Sequence, residues 1–149
     1  VHLMPDNEQN RIITYSVVTL LIRLTIGILF FFAGLNKFIG GYGNFINWII
    51  EDMTSKTWLP ELMLYPYAYV LPFLEIAVGA LLILGLWTRP VIAAAGFLMI
   101  SLTFGKVLAK DYPTVANNSN YVLMTAIAFF FSQHNRYSLD SLLFGRKRE

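Results

Sequence analysis

Four charged side chains lie inside long apolar segments, where a charge is costly and therefore informative. Glu75 lies in LPFLEIAVGALLILGLWTRP, residues 71–90, and Arg23, Lys37 and Lys106 lie in other apolar segments. An ionisable group at the centre of a membrane helix costs roughly 2.5–3.5 kcal/mol on insertion scales and normally faces a partner or a wet cavity. Such a set could form a buried ion-pair network, or hold a polar head group, a proton or a quinone.

Helix geometry predicts which of these charges can meet. With Arg89 at the cytoplasmic boundary and a rise of about 1.5 Å per residue, Glu75 lies about 21 Å and Lys106 about 25 Å across the membrane. Lys37 marks the opposite boundary, at about 30 Å. We therefore expect Glu75 to pair with Lys106 or with Lys37.

Arg23 is expected to lie apart from this pair, about 12 Å below Glu75. At that depth the last turn of a fourth span offers Ser132 and Gln133 as hydrogen-bond partners. No second catalytic group accompanies Glu75, and buried ion pairs often specify structure. We therefore favour a structural network over a binding site for these charges.

The composition is that of a membrane protein. The chain has 149 residues, 56% of them apolar and 13% charged, with a mean hydropathy of +0.58. Soluble domains average about 45–50% apolar and about 25% charged residues. The length predicts a single domain over residues 1–149.

The same composition argues against several chemistries. The chain has no cysteine, which removes thiolate nucleophiles, disulfide exchange and iron–sulfur ligation. Two histidines, His2 and His134, give no ligand pair for an intramembrane haem, and we predict no metal site. A net charge of +2 gives no support for nucleic-acid binding. Any redox cofactor would be diffusible or held by a partner.

The elements that must position the charges are predicted to be all α-helical. We expect an integral membrane four-helix bundle with spans at about residues 12–38, 67–87, 90–108 and 120–133. A short helix over residues 45–53, between the first two spans, has one apolar face and is predicted to lie in the headgroup layer. A soluble cap over the bundle is the alternative for this segment.

Small and aromatic residues mark the expected contacts of these helices. Small residues let membrane helices approach closely, and aromatic residues favour the membrane surface. The predicted helix-packing positions are Gly27, Gly34, Gly79 and Gly85. The predicted interfacial residues are Trp48, Trp58 and Arg89.

Basic residues near the span ends predict the orientation. With both termini cytoplasmic, that side holds Arg11, Arg89, Arg136, Arg146, Lys147 and Arg148, against Lys37, Lys56 and Lys110 on the other. This bias favours both termini inside. The first ten residues are polar and lack a basic segment, so we expect no cleavable signal peptide and a first span that acts as its own insertion signal.

Three stretches together resemble the DoxX family of small bacterial membrane proteins. They are RLTIGILFFFAGLNKF in the first span, LEIAVGALLILGLWTRP in the second, and RYSLD after the fourth. The matching positions are Arg23, Gly27, Gly34, Lys37, Glu75, Gly79, Gly85, Thr88, Arg89, Ser138, Leu139 and Asp140. The long aromatic first connection, and His134-Asn135 where a glycine is usual, depart from the pattern.

The resemblance implies four transmembrane helices in a bacterial inner membrane and an association with quinone-linked or other redox complexes. We therefore expect a non-catalytic or accessory subunit of such a respiratory or photosynthetic complex, with the lipid bilayer and a membrane-protein complex as partners. One alternative is a quinone-handling oxidoreductase subunit that binds quinone through Glu75 and Lys37 or Lys106. Another is a small transporter or lipid-binding module built around the same charges.

Overall fold

The computed structural model describes residues 6–134 and 137–144, and within them every regular element is a helix. The basic cluster at residues 146–148 and Arg136 lie outside the described residues. The elements are α1 (Asp6–Ile39), α2 (Tyr42–Lys56), α3 (Glu61–Leu84), α4 (Thr88–Leu108), α5 (Tyr112–Phe131), a 3-10 turn (Ser132–His134) and α6 (Leu139–Phe144).

Three of these helices, α1, α3 and α4, are long and apolar enough to cross a membrane. The all-α membrane architecture predicted from composition is therefore found, with three candidate membrane spans among the described residues, and the predicted fourth span is not confirmed. α5 begins at Tyr112, well before the predicted start at residue 120, and so takes in Asn117 and Asn118 in addition to Asn120. These polar residues lower its hydropathy.

α3 begins and ends earlier than its predicted span of residues 67–87. It starts at Glu61 and continues through Pro66 and Pro72, and it stops at Leu84 because Gly85 adopts a left-handed conformation with φ 70°. The amide N–H groups of Gly85 and Leu86 both donate to the Leu81 carbonyl, which closes the helix. Gly85 thus ends α3, and a Cβ atom at this position would also lie 2.6 Å from Arg23 Nη1 of α1.

The main core lies between α1, α3, α4 and α5. α1 packs chiefly against α3, α4 packs chiefly against α5, and α1 also contacts α5. Ile26, Phe30, Leu71, Leu82 and Ile92 are almost fully buried in this core. The four long helices therefore surround one apolar interior.

Glycines allow the backbones of α1 and α3 to approach closely. A Cβ atom on Gly79 would lie 2.7 Å from the Gly27 carbonyl oxygen and would clash with the backbone of Phe31. A Cβ on Gly34 would lie 2.8 Å from the Pro72 carbonyl oxygen and 3.0 Å from Glu75 Cβ. Since backbone cannot move aside as a flexible side chain can, these positions require glycine at this separation.

α2 packs against one end of the long helices. Its apolar face, centred on Ile46, Ile50 and Met53, is buried against Leu64 and Ala68 of α3. The predicted helix over residues 45–53 is thus extended to Tyr42–Lys56, and its apolar face is covered by protein.

The link between α1 and α2 is short and is held by specific contacts. Gly41 has φ 96°, a conformation that favours glycine. Immediately after it, Tyr42 stacks on Phe38 with ring centroids 5.0 Å apart and donates a hydrogen bond to the Tyr69 carbonyl at 2.7 Å. These contacts fix the end of α1, the start of α2 and the middle of α3 together.

Candidate functional site

The charge centre of the structure is a buried ion pair between α1 and α3. Lys37 Nζ lies 2.5 Å from Glu75 Oε2, and the side chain of Glu75 is only 3% exposed. Lys37 also lies 3.4 Å from the Ala33 carbonyl oxygen, and its ammonium sits 5.2 Å from the ring centre of Phe45 of α2. The pair therefore joins three helices.

Lys106, the other predicted partner of Glu75, is paired elsewhere. Its Nζ lies 3.3 Å from Asp111 Oδ2, at the turn between α4 and α5. Asp111 also caps α5, because its carboxylate accepts hydrogen bonds from the backbone and side chain of Thr114. These hydrogen bonds, with the nearby Lys106, hold the pKa of Asp111 below its ordinary value.

The sequence contains a signal for this capping, which the depths of the charges in the membrane do not reveal. Asp111 is followed by Tyr112, Pro113 and Thr114, and Asp before a Pro in the first helical turn is a typical helix start. The nearest carboxylate to Lys106 along the chain is therefore the one that it binds.

A cavity of about 230 Å³ lies between α2, α3 and α4, close to the Lys37–Glu75 pair but not lined by it. Its walls are mainly apolar, with Met53, Leu64 and Phe104 among them. Its polar groups are Lys106 and the hydroxyls of Tyr67 and Ser101, which lie 2.9 Å apart. Sequence patterns alone did not indicate this cavity, because Tyr67 and Ser101 are 34 positions apart.

A second polar cluster lies at the other end of α3. Arg23 is 3% exposed, and a Cβ on Gly85 would lie 2.6 Å from its Nη1 and 2.7 Å from Ser138 Cβ. Asp140 interacts electrostatically with Arg23. Arg23 thus lies against the α3–α4 turn and the segment that follows α5.

The partners expected for Arg23 make other contacts. The Ser132 hydroxyl donates to the Phe129 carbonyl, and the Gln133 amide donates to the Phe130 carbonyl at 3.5 Å. Both bonds are to their own helix, where side-chain groups near a helix end find the nearest acceptors.

Asp140 caps the N-terminus of α4, although Asp140 itself lies in α6. Its two carboxylate oxygens accept hydrogen bonds from the amides of Trp87 and Thr88 at 2.8 and 2.7 Å. In return, the Asp140 amide donates to the Gly85 carbonyl at 3.1 Å. The first amides of a helix lack partners within it and attract negative charge, so this carboxylate replaces the side-chain cap that Trp87 does not supply.

Ser138 has the matching role for α6. Its hydroxyl accepts a hydrogen bond from the Ser141 amide at 3.2 Å, which caps the short helix Leu139–Phe144. The Ser138-Leu139-Asp140 tripeptide therefore caps two helices, one locally and one across the fold.

The three predicted interfacial residues are all on the surface. Trp48 and Trp58 are 55% and 77% exposed, on α2 and just after it. Arg89 is exposed on the first turn of α4, and its guanidinium lies 5.0 Å from the ring centre of Phe129 of α5.

A helical chain with three membrane-length apolar helices and an ion pair buried between two of them is a membrane protein. Residues 18–106 match the DoxX family model, and the chain belongs to the DoxX family. It is 28% identical over 135 residues to a Bacillus subtilis (strain 168) protein named "Putative oxidoreductase CatD", covering 91% of this chain and 93% of that one. No solved structure matches the chain.

The two charge clusters hold helices together. Each carboxylate of the two clusters is engaged: Glu75 with a lysine, and Asp140 with two backbone amides. Within residues 6–134 and 137–144, no three His, Asp or Glu side chains lie close enough to share a metal ion. A ligand could enter the cavity beside Tyr67 and Ser101.

We predict that Lys37 and Glu75 are energetically coupled, whereas Lys106 and Glu75 are not. Removing one partner of a buried ion pair leaves a lone charge and typically costs about 3–5 kcal/mol. Lys37→Met should therefore lower detergent thermal stability strongly, and Lys37→Met with Glu75→Gln should lose less than the sum of the single changes.

The matched control is Lys106→Met, which should add to Glu75→Gln without coupling. A Lys37→Met/Glu75→Gln variant that loses the full sum of its single changes would contradict the pairing.

We predict that Asp140→Asn destabilises the protein more than Asp52→Asn does. Loss of a helix cap costs about 0.5–2 kcal/mol, and an amide has one acceptor oxygen for the two amides that Asp140 now serves. Asp52 makes an i,i+4 pair with Lys56 on α2, worth about 0.3–0.5 kcal/mol. Thermal unfolding in detergent compares the two variants. Equal unfolding temperatures would contradict the capping role of Asp140.

Proposed function

We propose that this chain is a small non-catalytic subunit of a redox complex in a bacterial inner membrane. The observation that carries the proposal is that its buried charges are paired within the fold, as in the contact of Glu75 with Lys37. Membership of the DoxX family and the oxidoreductase name of the Bacillus relative support a redox setting. The chain would then contribute surface and positioning to a partner that carries the redox centre.

The surface best suited to that partner lies at the α2–α3 connection. Exposed large side chains cluster there, and we call this set the connection surface: Trp48, Trp58, Leu62, Met63, Tyr65 and Tyr69. Large exposed apolar patches commonly mark protein or membrane contact sites. Trp and Tyr are also enriched in binding hot spots.

The second candidate function is the handling of a quinone, which the cavity between α2, α3 and α4 favours. Apolar walls with a few polar groups are typical of small-molecule sites, although about 230 Å³ is below the usual range of about 300–1,000 Å³. A single ring would fit there, with its carbonyl accepting a hydrogen bond from Lys106, or from Tyr67 once the Tyr67 hydroxyl leaves Ser101. A bound quinone would supply reversible two-electron, two-proton chemistry. Glu75 and Lys37 would not touch it, since neither lines the cavity.

We predict that the protein copurifies in mild detergent with a stoichiometric oxidoreductase partner. Trp58→Ala together with Leu62→Ala should reduce the partner's recovery without lowering thermal stability, because both side chains are exposed.

Tyr67→Phe should leave the partner's recovery unchanged. If the protein binds quinone in the cavity, this variant should lower the amount of quinone in the lipid extract. Tyr65→Phe, two positions away and exposed, is its control. A lone protein free of partner and quinone would contradict both and favour a transporter.

We also propose that α5 is a fourth span, which places both termini in the cytoplasm. Its 20 residues have the length that about 30 Å of hydrocarbon requires. An even number of spans puts the chain ends on the same side, and the basic bias places them inside.

Because the chain has no cysteine, single-cysteine labelling tests this topology directly. A membrane-impermeant thiol reagent should label Lys56→Cys from outside intact cells. It should label Glu8→Cys and Arg146→Cys only after the membrane is opened. Labelling of Arg146→Cys but not Glu8→Cys from outside would show that α5 does not cross.

A further inference from the structure

α5 carries a polar group in the middle of an otherwise apolar exposed stripe. Residues Ala116, Asn120, Leu123, Ile127 and Phe130 recur at helical spacing and are all exposed. We call this set the α5 stripe. The opposite face of α5 packs into the core through the buried Thr125 and Ala128. The stripe therefore points away from the rest of the chain.

The contact between α4 and α5 gives the depth of Asn120. A Cβ on Gly96 would lie 3.2 Å from Thr125 Oγ1, so Gly96 and Thr125 are at the same level of this antiparallel pair. Asn120, five residues before Thr125, is then level with Ser101. The midpoint of α4 (Thr88–Leu108) is Leu98, so Asn120 lies about 5 Å from the middle of a membrane-length helix.

An exposed amide at this depth faces hydrocarbon unless something covers it. Within residues 6–134 and 137–144, the Asn120 side chain makes no hydrogen bond. Lipid tails offer it no partner, and an unsatisfied amide in an apolar medium is strongly unfavourable. Asparagine on a membrane helix accordingly tends to hydrogen-bond across a helix–helix contact.

We propose that the α5 stripe is the contact between two copies of this chain, related by a twofold axis along the membrane normal. Identical chains inserted in the same direction place their two Asn120 side chains at the same depth, whereas an unrelated helix would need a polar group at that level. A carboxamide both donates and accepts, so two of them satisfy each other.

The remainder of the stripe suits the same contact. It contains no charged residue that would repel its copy, and Ala116, one turn before Asn120, permits close approach. Leu123, Ile127 and Phe130 add apolar contact on the same face. The proposal rests on α5 crossing the bilayer, which the cysteine labelling tests independently.

Disulfide cross-linking in native membranes tests the proposal, since the chain has no cysteine of its own. Leu123→Cys should form a cross-linked dimer of about twice the 17.0 kDa chain mass. Phe97→Cys is the matched control, because Phe97 of α4 is also lipid-facing, is 72% exposed, and lies at nearly the same depth. It should cross-link weakly.

Adding Asn120→Leu to Leu123→Cys should weaken dimerisation about 3- to 30-fold, as expected for lost interhelical hydrogen bonds. Leucine is apolar, so this variant should keep the monomer's thermal stability. Three results would overturn the proposal: no dimer with Leu123→Cys, equal cross-linking with Phe97→Cys, or a dimer yield that Asn120→Leu leaves unchanged. An adduct with a different protein would likewise overturn it and assign the stripe to that protein.

Discussion

The close approach of α1 and α3 is the constraint on which the remaining structure depends. Without side chains at Gly27, Gly34 and Gly79, the two backbones come near enough for Lys37 to reach Glu75 inside the protein. A wider separation would leave each charge to find its own partner in a medium of low dielectric, where unpaired charges are costly. Glycine packing and the ion pair are therefore a single arrangement, in which the packing sets the distance that the charges need.

This arrangement also organises the two ends of the bundle differently. At the Lys37 end, α2 packs its apolar face on α3, and the cavity opens beside Tyr67 and Ser101. At the Arg23 end, the α3–α4 turn is closed by a segment from beyond α5. One end thus combines the Lys37–Glu75 ion pair with an aromatic surface and a cavity, whereas the other holds the buried Arg23 beside the caps made by Asp140 and Ser138.

Composition was enough to predict the membrane class and the helical fold, and the predicted packing residues Gly27, Gly34 and Gly79 lie where α1 and α3 approach each other. Depth counting placed Lys106 almost level with Glu75 and Lys37 about 9 Å further across the membrane, within reach of a long side chain. It could not choose between them, because the choice depends on which helices are neighbours and on the competing carboxylate of Asp111. The Tyr67–Ser101 contact and the reach of Asp140 to α4 join distant parts of the chain, and no local pattern encodes them. Periodicity predicts the apolar face of α2 but leaves open whether lipid or the bundle covers it, because it does not say what a face packs against.

The cap on α4 has a consequence for the order in which the protein is made. The Thr88 amide donates its hydrogen bond to the carboxylate of Asp140, which lies 52 positions later in the chain. At about 5–20 residues per second, that residue is synthesised about 3–10 s afterwards. During this interval the α3–α4 turn lacks its final hydrogen bonds, while the remainder of α4 and all of α5 are synthesised. The family-matched residues 18–106 end before Asp140, so a segment beyond the matched region completes the turn between α3 and α4.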